Sequence, residues 1–170
     1  MKIGEIIIPP RYVEIEGAII FLAGPIQGGP DWQKEAIRYI HNKNSEIHIA
    51  SPRRPGADKK DFTDQIWNEQ IYWEHFYFEL AEQNGVIMFW LAGETNHRCD
   101  RAYAQTTRFE IGEAAVKCHF DKAKVVVGIE DNFTGGRYIS MTLDKKYSKV
   151  RLCHNSLKRT CELAVLLALE

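Results

Sequence analysis

Three apolar runs constrain the fold of this chain more than any other feature: Ala18–Ala23 (AIIFLA), Gly85–Leu91 (GVIMFWL) and Lys124–Ile129 (KVVVGI). Each is rich in β-branched or aromatic residues and lacks polar alternation, the pattern of a strand buried on both faces. Helical spacing fills the gaps between them. Trp32, Ala36, Tyr39 and Ile40 recur at i, i+4, i+7 and i+8, and Ile111, Ala114, Ala115 and Cys118 at i, i+3, i+4 and i+7. Pro30 suits the first turn of the earlier of these helices. Phe62–Gln83 contains no glycine or proline and predicts a long helix. Shorter strands are expected at Glu46–Ala50 and Lys149–Cys153, and a short helix at Arg137–Lys145. A terminal helix follows, capped by Asn155 and burying Leu157, Cys161, Ala164, Val165 and Ala168. Ile6–Ile8, halted by Pro9 and Pro10, predicts an edge strand or an arm, because paired prolines cannot sit in a central ladder. The alternation predicts an α/β fold: a doubly wound, flavodoxin-like, five-stranded parallel sheet with helices on both faces, as one domain over residues 1–170.

In the strand order 2-1-3-4-5 the first and third strands are neighbours, and their following loops leave toward opposite faces. A ligand crevice opens between those loops at the carboxyl ends of the strands. Here the loops are Gly24–Pro30 (GPIQGGP), whose small residues let backbone amides approach a ligand, and the segment leading to TTRFEIGEAA, Thr106–Ala115. Glu110 falls near the start of a helix, off its apolar stripe. A carboxylate there is expected to stay ionised beside the positive end of the helix dipole, ready to act as nucleophile or base. Thr107-x-x-Glu110 also fits a capping box, in which the glutamate only satisfies a backbone amide.

The net charge of −1 argues against a nucleic-acid polymer as partner, and no apolar run reaches the length of a membrane span. The expected location is cytoplasmic. Four scattered cysteines form no CxxC pair. Cys99 and Cys153 lie near His97 and His154, but at no zinc spacing, so neither a disulfide framework nor a metal is expected. Tyr72, Trp73, Phe76, Tyr77 and Phe78 crowd more than one face of their helix, which predicts a homo-oligomer. In the basic segment Ser51–Lys60, Arg53, Arg54, Lys59 and Lys60 either meet the base or a phosphate or form a solvated loop.

FLAGPI (Phe21–Ile26), QIYWE (Gln70–Glu74), VIMFW (Val86–Trp90) and TTRFEIGEA (Thr106–Ala114) together resemble the nucleoside 2-deoxyribosyltransferase family, most closely its branch with a WE pair and an FW-ending strand. The resemblance spans roughly residues 18 to 145. It implies a transferase of nucleotide salvage that breaks the N-glycosidic bond of a 2-deoxyribonucleoside. The sugar is held as an ester on the glutamate matching Glu110 and passed to another base. Glu74 is the candidate second carboxylate serving the departing base, against a merely solvated role. Gly24, Pro25 and Ile26 would wall the sugar or base, and Thr107 matches the threonine that precedes the nucleophile. Trp90 and Phe109 either stack and exclude water or belong to the core, and Arg53 or Arg54 reaches the base or a phosphate. No step calls for a metal or an organic cofactor. Related alternatives are hydrolysis of a nucleoside or nucleoside 5′-monophosphate, and non-catalytic nucleotide binding. Two departures bear on the sugar contacts and the second substrate. Asn84-Gly85 stands where many members have Ala-Asp, and Ala104 where many have Asp.

Overall fold

The computed structural model describes residues 3–56 and 63–170. Lys59 and Lys60 of the basic segment and the expected helix start at Phe62 lie outside the described residues. Among these, six strands and five helices alternate: β1 (Ile6–Ile7), β2 (Ile19–Ala23), α1 (Trp32–Lys43), β3 (His48–Ala50), α2 (Asp64–Asn84), β4 (Gly85–Leu91), α3 (Gln105–His119), β5 (Val125–Ile129), α4 (Gly136–Lys146), β6 (Arg151–His154) and α5 (Leu157–Ala168).

The strands form one sheet in the order β1-β3-β2-β4-β5-β6, and every pairing is parallel. The sheet therefore has six strands, not the expected five. The extra one is the edge strand Ile6–Ile7, which pairs with Ile49 and Ala50. The remaining five keep the order 2-1-3-4-5. β2 and β5 are buried along their whole length, as their unbroken apolar runs require. Alternate residues then supply two cores. Phe21, Ile87, Phe89 and Val127 face α2, α3 and α4, with Trp73, Tyr77, Ile111 and Leu143 against them. Ile20, Leu22, Met88 and Trp90 face α1 and α5, against Trp32, Ile40, Cys161 and Val165.

Helix boundaries differ from expectation where a side chain other than the obvious one caps. α1 starts after Asp31, whose carboxylate accepts from Lys34 N, so Pro30 precedes the helix. α5 is capped by Ser156, which accepts from Arg159 N at 3.1 Å. Asn155 instead adopts a left-handed conformation and accepts from Asp131 N at 2.8 Å, tying β6 to the β5–α4 loop.

Gly85 opens β4 opposite Ile19, and a β-carbon there would stand 1.8 Å from the Ile19 carbonyl oxygen. An aspartate does not fit this backbone. At about 3.3 Å per residue, the start of β4 is also some 20 Å from its carboxyl end. The loss of an acid at Gly85 therefore leaves the ligand end of the sheet untouched.

Candidate active site

Because β2 and β4 are adjacent while α1 and α3 pack on opposite faces, a cleft opens at their carboxyl ends. Its volume is about 610 Å³. The β2–α1 loop roofs it with Gly24, Pro25, Ile26 and Gln27, α2 and α3 form its walls, and Phe21 and Ala23 its base.

The roof is held from several sides. A β-carbon on Gly24 would lie 2.4 Å from Trp90 O and 2.7 Å from the Trp32 ring, so only glycine permits this approach. Trp32 Nε1 donates to Pro25 O at 2.9 Å. Arg53 donates to Ile26 O at 3.1 Å and pairs with Asp31 at 3.4 Å. Opposite, the amides of Thr95 and Asn96 donate to Gly28 O. Tyr103 packs against Gly28 and Gly29, its hydroxyl donating to Ala92 O at 2.9 Å.

Glu74 and Glu110 reach into the cleft from α2 and α3. Gln70, one turn before Glu74, organises the first of them. Its Nε2 donates to Glu74 Oε1 at 2.7 Å and to Pro52 O at 2.8 Å, while its Oε1 accepts from Arg54 Nε at 2.7 Å. The i, i+4 spacing of QIYWE places both side chains on one helix face, and Trp73 and Tyr77 anchor the face that packs on the sheet. Burial pushes the Glu74 carboxyl up from its ordinary value, against the pull of Gln70, His75 and Arg54.

Glu110 departs from expectation. It is the sixth residue of α3, a turn beyond the helix start, and Ala104 is the N-cap without a side-chain hydrogen bond. No capping box forms: Thr107 is buried inside the first turn. The helix dipole therefore does not keep Glu110 ionised. Burial first, then the nearby carboxylates of Glu74 and Glu113, push its pKa up to about 8. At neutral pH Glu110 therefore keeps its proton, and the Glu74 carboxyl is pushed in the same direction.

Of the remaining sequence candidates, Thr107 lines the cleft, as do Gly24, Pro25 and Ile26. Trp90, Phe109 and Arg53 lie outside its lining. Trp90 points to the α1–α5 face because β4 alternates, Phe109 is 77% exposed on the outside of α3, and Arg53 is taken up in bracing the roof. Arg54, the neighbour of Arg53, is the arginine that lines the cleft. Gln70, Arg98 and Arg101 also line it, and sequence reasoning did not single them out. Among the described residues, no three His, Cys, Asp or Glu side chains converge as a metal site would require.

The model of a family described as "Nucleoside 2-deoxyribosyltransferase like" matches residues 17–133. No curated protein matches the chain closely enough to count as a relative.

The raised Glu110 pKa carries a stability cost with a definite sign. Folded, Glu110 keeps its proton to about pH 8; unfolded, it loses it near its ordinary 4.5. Within that window the folded chain binds more protons, so stability falls as pH rises. Glu110→Gln removes this dependence. The variant should melt above the wild type at pH 8, and the difference should close as pH falls toward 4.5. A wild type that melts higher at pH 8 would contradict the assigned environment.

Proposed function

The chain belongs to the nucleoside 2-deoxyribosyltransferase-like family, whose match covers more than half of it. From that premise we propose that it cleaves the N-glycosidic bond of a 2-deoxyribonucleoside through a covalent ester on Glu110 and transfers the sugar to another base. The observation that carries this is the pairing of Glu110 with Glu74 in the cleft, their carboxyl groups close enough for one to raise the pKa of the other.

In the first half-reaction a Glu110 oxygen bonds to the anomeric carbon as the bond from that carbon to the base nitrogen breaks. The bonding pair leaves with the base, which takes up a proton. The resting pair already holds that proton, both carboxyls being pushed above their ordinary value. As positive charge develops on the sugar, the ionised form of Glu110 is favoured and the proton moves by way of Glu74 to the base. Ionising the nucleophile and protonating the leaving group are then one event. In the second half-reaction a nitrogen of the incoming base bonds to the anomeric carbon, the ester bond breaks, and Glu74 receives the proton that nitrogen gives up.

Gln70 has a defined part in this chemistry. Occupying Oε1 of Glu74, it leaves Oε2 as the oxygen that carries the proton. Arg54 fixes which end of the Gln70 amide faces Glu74. Gly24, Pro25 and Ile26 enclose the sugar or base, and Thr107 adds a hydroxyl to the same wall.

Incubation with a panel of deoxynucleosides and their monophosphates, with and without free bases, tests the proposal when products are resolved by chromatography. Base exchange is the expected outcome. Free base alone assigns a hydrolase, and no turnover a binding protein. kcat/KM should fall as pH rises past about 8, where Glu110 has lost its proton. Glu110→Gln should lose several orders of magnitude in kcat, because an amide neither attacks nor carries compensating charge. A variant near full activity would rule Glu110 out.

The oligomeric proposal rests on α2. Trp73, Tyr77 and Phe78 are buried, yet Tyr72 and Phe76, one turn apart on a different face, remain 69% and 46% exposed. A surface so rich in aromatics has the composition of an interface core. Sedimentation at micromolar concentration should give a dimer or a higher assembly; a monomer would overturn it.

A further inference from the structure

The lining of the cleft is chemically divided. At one end stand the two carboxyl groups. Arg54, Arg98 and Arg101 supply three guanidinium groups, the last two from the β4–α3 loop that runs into α3. Glu74 and Glu110 are the only acids among the described lining residues. Arg54 lies with the carboxyl pair, its charge pulling against the burial that raises the Glu74 carboxyl, whereas Arg98 and Arg101 are bonded to neither Glu74 nor Glu110. Arg54 bonds to the neutral Gln70 and lies 3.6 Å from Glu69 outside the cleft, while Arg101 donates to the neutral Gln27. Arg98 pairs with Asp100, an exposed residue of its own loop, at 2.9 Å through Nε. Gln70 and Gln27 orient guanidinium groups without cancelling their charge, and an incoming anion can displace the exposed Asp100 from Arg98.

The start of α3 adds to this field. Ala104 holds the N-cap position in a left-handed conformation, φ 53°, and offers no side-chain acceptor to the first amides of the helix. Gln105 and Thr106 of that first turn line the same cleft. From Gln105 to Glu110 the helix rises about 8 Å, a span that one sugar phosphate bridges.

We propose that the substrate of this cleft is a nucleoside 5′-monophosphate, its phosphate held by Arg98 and Arg101 while the anomeric carbon faces Glu110. The inference rests on the glycosyl-transfer reading of the same cleft and names its substrate class. Among the described residues, a neutral nucleoside would leave Arg101 with only the neutral Gln27 and Arg98 with only the exposed Asp100. A phosphate gains several charge-assisted bonds there.

Calorimetric titration of Glu110→Gln with the four common deoxynucleosides and their 5′- and 3′-monophosphates tests it, alongside turnover by the wild type. At least one 5′-monophosphate should bind on the order of 100-fold tighter than its nucleoside and its 3′-isomer. Arg98→Ala and Arg101→Ala, each added to Glu110→Gln, should cut that preference about tenfold, with Lys in either place restoring part of it. Asp100→Asn should move affinity the other way, since it frees Arg98 from its competing acid. Rising salt should weaken the monophosphate more than the nucleoside. Equal binding of nucleoside and 5′-monophosphate, or no binding of either, overturns the inference. So does a preference that survives loss of both arginines. Turnover of nucleosides without such a preference sinks the phosphate and leaves the glycosyl chemistry standing. Arginine-dependent binding by a wild-type protein that turns nothing over does the reverse.

Discussion

The parallel pairing of β2 against β4 is the constraint on which the rest of the molecule depends. Both strands are followed by crossovers that must be right-handed, and they travel in opposite directions across the sheet, so α1 and α3 settle on opposite faces. The space left between their loops is the cleft. Its depth is set by close approach, with Gly24 against Trp90 O and the Trp32 ring, and Gly85 against Ile19 O at the far end. Neither contact leaves room for a β-carbon. The chain gives up side-chain contacts at both glycines so that two buried strands can lie flush.

Within that cleft the controlling interaction is electrostatic. Glu74 and Glu110 come from different helices, and each would ionise freely in water. Brought together in a partly dry space, both carboxyls are pushed above their ordinary range, and Glu110 keeps its proton to about pH 8. Such an arrangement lowers the stability of the fold, as strained or desolvated sites commonly do. Its support is correspondingly thorough: Gln70 spans Pro52, Arg54 and Glu74, and Lys117 joins Glu113 at 2.7 Å to Glu82 across α2 and α3. Arg108 fastens the start of α3 by donating to Thr134 O and lying over the Phe133 ring.

How much of this was legible in the sequence follows from what each feature depends on. The long strands were readable because burial on both faces leaves unbroken apolar runs, and their order is the flavodoxin-like one assumed for such an alternation of strands and helices. Ile6–Ile8 and the prolines after it left an edge strand and an arm both open, and the pairing with β3 that decides for the strand is not a local property. The start of α3 was misread because Ala104 carries no capping signature, while Thr107-x-x-Glu110 imitates one from inside the helix. The protonation of Glu110 was beyond reach, since it is set first by burial in the folded cleft and then by Glu74, 36 positions earlier in the chain. Neighbouring residues were confused where direction decides the matter: Arg53 braces a carbonyl while Arg54 meets the cleft, and Trp90 faces α1 and α5 while Phe89 faces α2 and α3. Arg98 and Arg101 sit in a polar loop whose sequence has no periodicity, so only its path over the cleft reveals them.

Trapping the sugar ester tests the central claim most directly. A 2-deoxy-2-fluoro nucleoside, or its 5′-monophosphate, slows release of a glycosyl-enzyme because fluorine disfavours positive charge at the neighbouring carbon. Intact-mass spectrometry of the wild type should show one added sugar unit, and peptide mapping should place it on Glu110, with no adduct on Glu110→Gln. An adduct on Glu74 or Glu113, or turnover with no adduct at all, would contradict the assignment of Glu110 as nucleophile.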